Sequence, residues 1–374
     1  MNSLMNGSRT VRFAALATAV AIGVTLLLAG CASPPPKQAE LKLVWPPPPL
    51  QPRVKFVRSI ISEESLNRDT TFGEEVVAFL TGQAMPINHI AEPVGLAVSD
   101  DTDRLYVSDM MQRAVFVFDF RKNVFLKYND VGIPGGLALD AQERLYVVDM
   151  DKKSIRVFGP DRKLVNVIVD ETVTKPTGIA VDKVNGKVYL VDTSNRASGE
   201  MNVKVYDLQG KRIGQIGGSQ GGEFGEFSYP TYATVDDKGN LYVSDTMNAR
   251  VQKFDVNGKH LYTYGQPGSD WGEFERPKGL AVDSFGNLYV ADSGWSNVQI
   301  FNEHGQVLLF FGGRGPLPGM LKNPLAVAID KNNRIYVGDY LNHRVEVYDL
   351  VNTTAGDSFL KPPAKNPVPK GAKK

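Results

Sequence analysis

The sequence predicts an all-β fold: a six-bladed propeller, in which six four-stranded antiparallel sheets stand around one axis. Three observations predict it. One short pattern recurs six times, with its prolines at Pro93, Pro134, Pro176, Pro230, Pro277 and Pro324, 41, 42, 54, 47 and 47 residues apart. Within each period, short runs of alternating β-branched and aromatic residues suit a pleated strand. Four such strands in about 40–50 residues make a sheet with two apolar faces, which only neighbouring copies of the same sheet can cover.

Each repeat reads in the same order. A first strand follows the proline, as in Pro93-Val94-Gly95-Leu96-Ala97-Val98 and Pro277-Lys278-Gly279-Leu280-Ala281-Val282. Asp140, Asp182, Asp236, Asp283 and Asp330 then lead into tight turns such as Ser284-Phe285-Gly286-Asn287, where Asp and Gly meet conformational demands. A second strand such as Leu241-Tyr242-Val243-Ser244-Asp245 ends on another aspartate, and its counterparts end at Asp109, Asp149, Asp192, Asp292 and Asp339. A third strand (Val251-Gln252-Lys253-Phe254) and a fourth (His260-Leu261-Tyr262-Thr263-Tyr264) complete the unit.

The sixth unit has no fourth strand, because alternation stops at Leu350. Upstream of the first repeat, residues 53–61 have the missing length and pattern. They are expected to pair with 344–348 and close the ring, which removes the open sheet edges; the propeller then spans 53–350.

Residues 1–30 hold Arg9 and Arg12, no acid, and an apolar run over 13–28 that ends in Leu28-Ala29-Gly30-Cys31. This resembles a bacterial lipoprotein signal peptide. The resemblance implies cleavage before Cys31, lipid attachment to that residue, export, and a stable membrane anchor. Ala32 is not the aspartate that marks inner-membrane retention in enterobacterial lipoproteins, which favours the outer membrane. An uncleaved membrane helix is the alternative, although the run is short for a span. Cys31 is the one cysteine, so no disulfide stabilises the chain. Residues 31–52 read as a proline-rich tether excluded from the sheets, about 60 Å long at polyproline spacing. Residues 72–82 read as a short amphipathic helix behind the capping pair Thr71 and Glu74, docked on the propeller or facing a partner. Residues 351–374 read as a disordered Lys/Pro tail. Without residues 1–30 the chain has 40 basic against 41 acidic side chains, a balance that speaks against nucleic-acid binding.

The repeats resemble NHL repeats, and the whole chain resembles bacterial six-bladed NHL-type propeller lipoproteins. The fullest matches are Asp245-Thr246-Met247-Asn248-Ala249-Arg250-Val251 and Asp339-Tyr340-Leu341-Asn342-His343-Arg344-Val345. Asp245 with Arg250, and Asp339 with Arg344, are expected to pair as structural turn contacts. The glycine loops over 221–227 and 272–274 are also similar to the family's. Blade one has Gln112 and Ala114 in place of the motif's Asn and Arg, blade two has Lys152 and Ser154, and blade five has Trp295 and Asn297; blade three inserts residues 197–202.

Architectural relatives of this resemblance include metal-dependent lactonases and an amidating lyase, which hold calcium or zinc in the central channel. Here the expected channel positions are Gly95, Gly136, Gly178, Tyr232, Gly279 and Leu325, none of them a metal ligand. No catalytic residue, resident metal or cofactor is therefore expected, although the six strand-end aspartates are candidates to ring one mouth. What remains is a binding face on the loops at one end of the ring. Tyr229, Tyr232, Trp271, Arg276, Lys278, Trp295, Arg314, Tyr340 and His343 supply residue types favoured at interfaces. The expected protein is a monomeric, lipid-anchored envelope scaffold or recognition module for another protein or a glycan. The alternative is a metal-dependent hydrolase or lyase.

Overall fold

The alternating runs become strands in the computed structural model, which describes residues 43–66, 88–99, 103–194 and 199–354. Blade one comprises Pro93–Val98, Arg104–Asp109, Ala114–Asp119 and Val124–Tyr128. Blades two to five repeat this order over 134–169, 176–219, 230–264 and 277–312, and blade six covers 324–350. The six first strands pack in sequence, and the sixth packs on the first. Facing blades share their apolar side chains: Val115 and Val117 of blade one meet Leu137, Leu145 and Val147 of blade two in one buried cluster. The result is an all-β six-bladed propeller.

Ring closure runs through Val54–Ile60, which lies antiparallel to Arg344–Leu350, with Val54 opposite Leu350 and Ile60 opposite Val345. The Ser59 hydroxyl donates to Glu346 Oε2 at 2.6 Å in the buried seam. The N-terminal strand thus supplies the fourth strand of blade six.

One expectation is corrected here. Residues 43–52, the described part of the proline-rich segment, do enter a sheet, because Val44–Trp45 pairs with Lys55 and Val54 and makes blade six five-stranded. Trp45 lies 5.7 Å from the Tyr348 ring and 6.1 Å from Phe311. Leu43, Val44 and Trp45 form an apolar triplet between two proline clusters, long enough for two ladder pairs before the prolines end the strand. Packing of the partly buried indole against blades five and six overrides the composition of its flanks.

The loop joining each blade to the next drops an apolar plug between blades. Phe227, Phe274 and Leu321 are wholly buried in the three glycine-rich loops. Val131 and Val173 are also buried, in the shorter loops entering blades two and three, and so is Ile90 ahead of blade one. In blade three, Glu200, Met201 and Asn202 of the inserted stretch lengthen the third strand, Glu200–Asp207. The signal segment, Cys31, the helix expected over 72–82 and residues 355–374 lie outside the described residues.

Candidate functional site at the channel mouth

First strands run away from the face where second strands end, so the mouth of the channel is built from residues just after each proline. In blades two to five a β-bulge follows the proline, as between Pro230 and Ala233 or Pro277 and Leu280. It takes two residues out of the ladder and re-aims their side chains. The second of the two is glycine in blades two, three and five, and Gly95 holds the same level in blade one while still paired with Ser108, because neighbouring backbones approach closely. A Cβ on Gly279 would stand 2.6 Å from Ala326 Cα. Blade six is offset by one from the sequence reading: Pro324 pairs with Asp339 as Pro93 pairs with Asp109, so Ala326 occupies the glycine level and Leu325 the level of Lys278.

Blade four breaks this ring of small residues with Tyr232. Its side chain crosses the channel, and its hydroxyl donates to Val94 O of the opposite blade at 2.6 Å. The ring packs beside the blade one and blade six cluster, and burial raises the pKa of its hydroxyl. Beyond it lies a cavity of about 210 Å³ lined by small and aliphatic residues, among them Ala97, Ala138, Ala180, Ala281 and Ala328. Tyr232 was expected both at a channel position and on the binding face; the structure puts its side chain across the channel as a crossbar, not on the outer face. The space for a phenol exists only because the other five positions carry hydrogen or methyl.

The six strand-end aspartates do not ring the mouth. Each is buried and ties the incoming blade-to-blade loop to its own turn. Asp292 accepts the N–H groups of Glu275, Arg276, Gly294 and Trp295 at 2.8, 3.0, 2.9 and 3.1 Å. Asp339 accepts those of Lys322 and Asn323, both at 2.9 Å. Their oxygens are committed to donors of the loop and turn, mostly backbone N–H groups, with Asp245 Oδ2 taken by the Asn248, Arg250 and Gln252 side chains. Among the described residues, no three His, Cys, Asp or Glu side chains are grouped to hold a metal ion.

The turn pairs divide. Arg250 Nε meets Asp245 Oδ2 at 2.8 Å, and the same guanidinium binds the carbonyls of Gly222, Glu223 and Glu226. Arg344 does not pair directly with Asp339: its Nε binds Glu346 Oε1 at 2.6 Å. Glu346 stands where blades four and five have Gln252 and Gln299, and as a buried carboxylate it attracts the arginine more strongly than the amides can. Blades two and three, which lack the turn arginine, draw the cation from this same position. Arg156 binds Asp149 at 3.0 Å and Lys204 binds Asp192 at 3.2 Å. Two residues along a strand return to the same face, so the charge arrives from the same side.

The other expected face residues are scattered. Trp271 is 61% exposed and meets Phe310 edge-on at 5.2 Å, on the outer part of blade five. Trp295, 40% exposed, donates through Nε1 to Gly268 O at 3.0 Å. Arg314 Nη2 donates to Gly294 O at 2.8 Å, and His343 Nδ1 lies against Ala91 O. Burial, with Glu92 adding to it, raises the pKa of Tyr340. Tyr229 is partly buried, with φ +53°. Arg276 and Lys278 remain at the mouth. Sequence reasoning missed Lys175, which stands just before its proline as Arg276 does; that alignment was the available signal.

Comparisons with known proteins agree with the fold. Residues 231–309 match the family model for the SMP-30/gluconolactonase/LRE-like region, and residues 321–348 match the NHL repeat. The chain is similar to Protein brain tumor of Drosophila melanogaster, 25% identical over 137 residues, which cover 35% of this chain and 12% of that protein. Among solved structures, an auxiliary nutrient binding protein from Bacteroides ovatus superposes with a TM-score of 0.55 and 16% identity over 71% of each chain. Streptogramin B lyase superposes with a TM-score of 0.53 and 11% identity, over 70% of this chain and 94% of that one. These structural likenesses speak for the architecture alone. With its repeated motif, matched repeat and closed ring of six sheets, the chain is an NHL-type six-bladed β-propeller.

Proposed function

We propose that this protein is a recognition module of the bacterial cell envelope, anchored through Cys31 and binding an envelope partner on the loops around the channel mouth. The observation that carries the reading is the crossbar of Tyr232, which bars the channel. With the strand-end aspartates engaged by loop and turn groups, recognition falls to the loop surface. Met111, Met247, Trp295 and Leu341 in the turns after second strands, and Trp271 farther out on blade five, are exposed, and exposed aromatic and apolar groups of this kind anchor protein interfaces. The metal-dependent hydrolase suggested by the resemblance lacks a ligand cluster among the described residues.

The test is a photo-crosslinking residue placed at Trp295 in the anchored protein in native membranes. A discrete adduct that disappears on replacing Trp271 and Leu341 by alanine supports the reading. Adducts unchanged by those replacements would remove it. Cys31→Ser should move the protein from the membrane to the soluble fraction.

A further inference from the structure

Lys278 stands at the channel mouth with two exposed cations, Arg276 and Lys175, near enough to be felt by its ammonium. Lys278 stands in the bulge between Pro277 and Leu280, partly buried and level with Val94, Gly135, Thr177, Thr231 and Leu325. Among the described residues its ammonium has neither a hydrogen-bond acceptor nor a carboxylate partner. The side chains of Arg276 and Lys175 likewise have none, although the backbone N–H of each is held by a strand-end aspartate. The charged groups felt at Lys278 are these two, Arg276 on its own blade and Lys175 on blade three, and both are positive. An unpaired, partly buried ammonium among like charges is costly without an anion.

The hydroxyls around it are already committed. Thr177 and Thr193 share a hydrogen bond of 3.0 Å, and Thr193 donates to Pro230 O at 2.6 Å. Thr231 and Thr246 share one of 2.7 Å, and Thr246 donates to Pro277 O at 2.8 Å. The far wall is different in kind. Blade two lies opposite blade five, and there Gly135 has no side chain and Met150 lies over it, its Cγ 3.2 Å from where a Cβ would stand. Leu325, also at this level, is partly buried.

We propose that the channel mouth binds an organic carboxylate, with its acid group on Lys278 between Arg276 and Lys175 and its apolar body against Met150 and Leu325. Two carboxylate oxygens can be served by one ammonium and one guanidinium. A phosphate has more oxygens to satisfy, and the nearby threonine protons are taken. Tyr232 forms the floor, which limits the ligand to the mouth. The site rests on the recognition reading above and names the chemistry it recognises.

Isothermal titration of the mature chain with hexanoate, acetate, hexylammonium and inorganic phosphate tests it. Hexanoate should bind at least tenfold tighter than acetate or phosphate, and hexylammonium should not bind. Lys278→Met should weaken hexanoate at least tenfold, while Lys278→Arg should stay within a few-fold of the native protein. Equal hexanoate affinity in Lys278→Met, or tighter binding of phosphate, would overturn the proposal. If Lys278 proves dispensable for hexanoate while the Trp295 crosslink persists, the carboxylate site fails and the recognition reading stands. Lys278-dependent hexanoate binding without any crosslink gives the converse.

Discussion

Lys204 places its ammonium 3.2 Å from the Asp192 carboxylate, with both side chains only 2% exposed. The pair stands where intact repeats use a turn arginine. Burial raises the Asp192 pKa, but the N–H groups of Lys175 and Thr174 and the Lys204 charge outweigh it, and the net direction is down. Lys204→Met should cost about 3 kcal/mol in urea unfolding at pH 7, because it leaves a buried carboxylate without its counter-charge. A depressed folded-state pKa means that the stabilisation is present above the unfolded value and is lost as pH falls through the folded one. The variant's deficit should therefore shrink as the pH falls below about 4.

Glu346 binds Arg344 at 2.6 Å, Ser59 at 2.6 Å and the Gly319 N–H at 3.1 Å. It joins blade six, the closing strand and the preceding loop. Glu346→Ala should destabilise by about 3–5 kcal/mol, and Ser59→Ala by about 1 kcal/mol. Chemical denaturation of the two variants and their double mutant should reveal coupling through the shared hydrogen bond.

Trp45 marks the difference between a free tether and a fifth strand. Trp45→Ala should lower stability by about 3 kcal/mol through loss of its contacts with Tyr348 and Phe311. A melting temperature unchanged from native would return residues 43–52 to the tether.

Tyr232→Phe should cost about 1 kcal/mol by leaving Val94 O without its donor. Tyr232→Ala should cost more and admit solvent to the cavity behind it. A xenon-pressurised crystal of the alanine variant should show density in the channel; none would mean the channel collapses without its crossbar.

Burial first, with Arg276 and Lys175 beside it, lowers the Lys278 pKa to about 8. The unfolded chain holds the same proton to a pKa of about 10.4. Below pH 8 both states are charged and the folded state bears the full cost. Between 8 and the unfolded value the folded state sheds its proton first, and the cost is relieved. Lys278→Met should thus stabilise the protein at pH 7 by on the order of 1 kcal/mol after solvent screening. The gain should fade as the pH approaches 10, as thermal melts across pH 6–10 would show.

Period, strand order and ring closure were legible because they depend on local alternation and on a spacing that any reader of the chain can measure. The pairing of residues 53–61 with the last blade followed from a count of strands. The Asp245 and Arg250 contact was legible because both residues lie in one turn. The exchange of Asp339 for Glu346 as the partner of Arg344 was not, because it depends on two carboxylates competing for one guanidinium in a buried space. Nor were the cations of blades two and three, where Arg156 and Lys204 replace a missing motif residue from two positions downstream. Trp45 was hidden by its prolines, and Tyr232 by an alignment that shows its level in the channel but not the direction of its ring.

By itself the sequence determined that this chain repeats one sheet six times and supplies its own closing strand, because strand propensity and periodicity act over a few residues. Tertiary structure decided which side chains cross the channel, which aspartates are used up by loop and turn donors and which cations are left without partners. Those outcomes depend on distances between residues of different blades, such as the 138 positions separating Val94 from Tyr232, which are set only when the ring has closed.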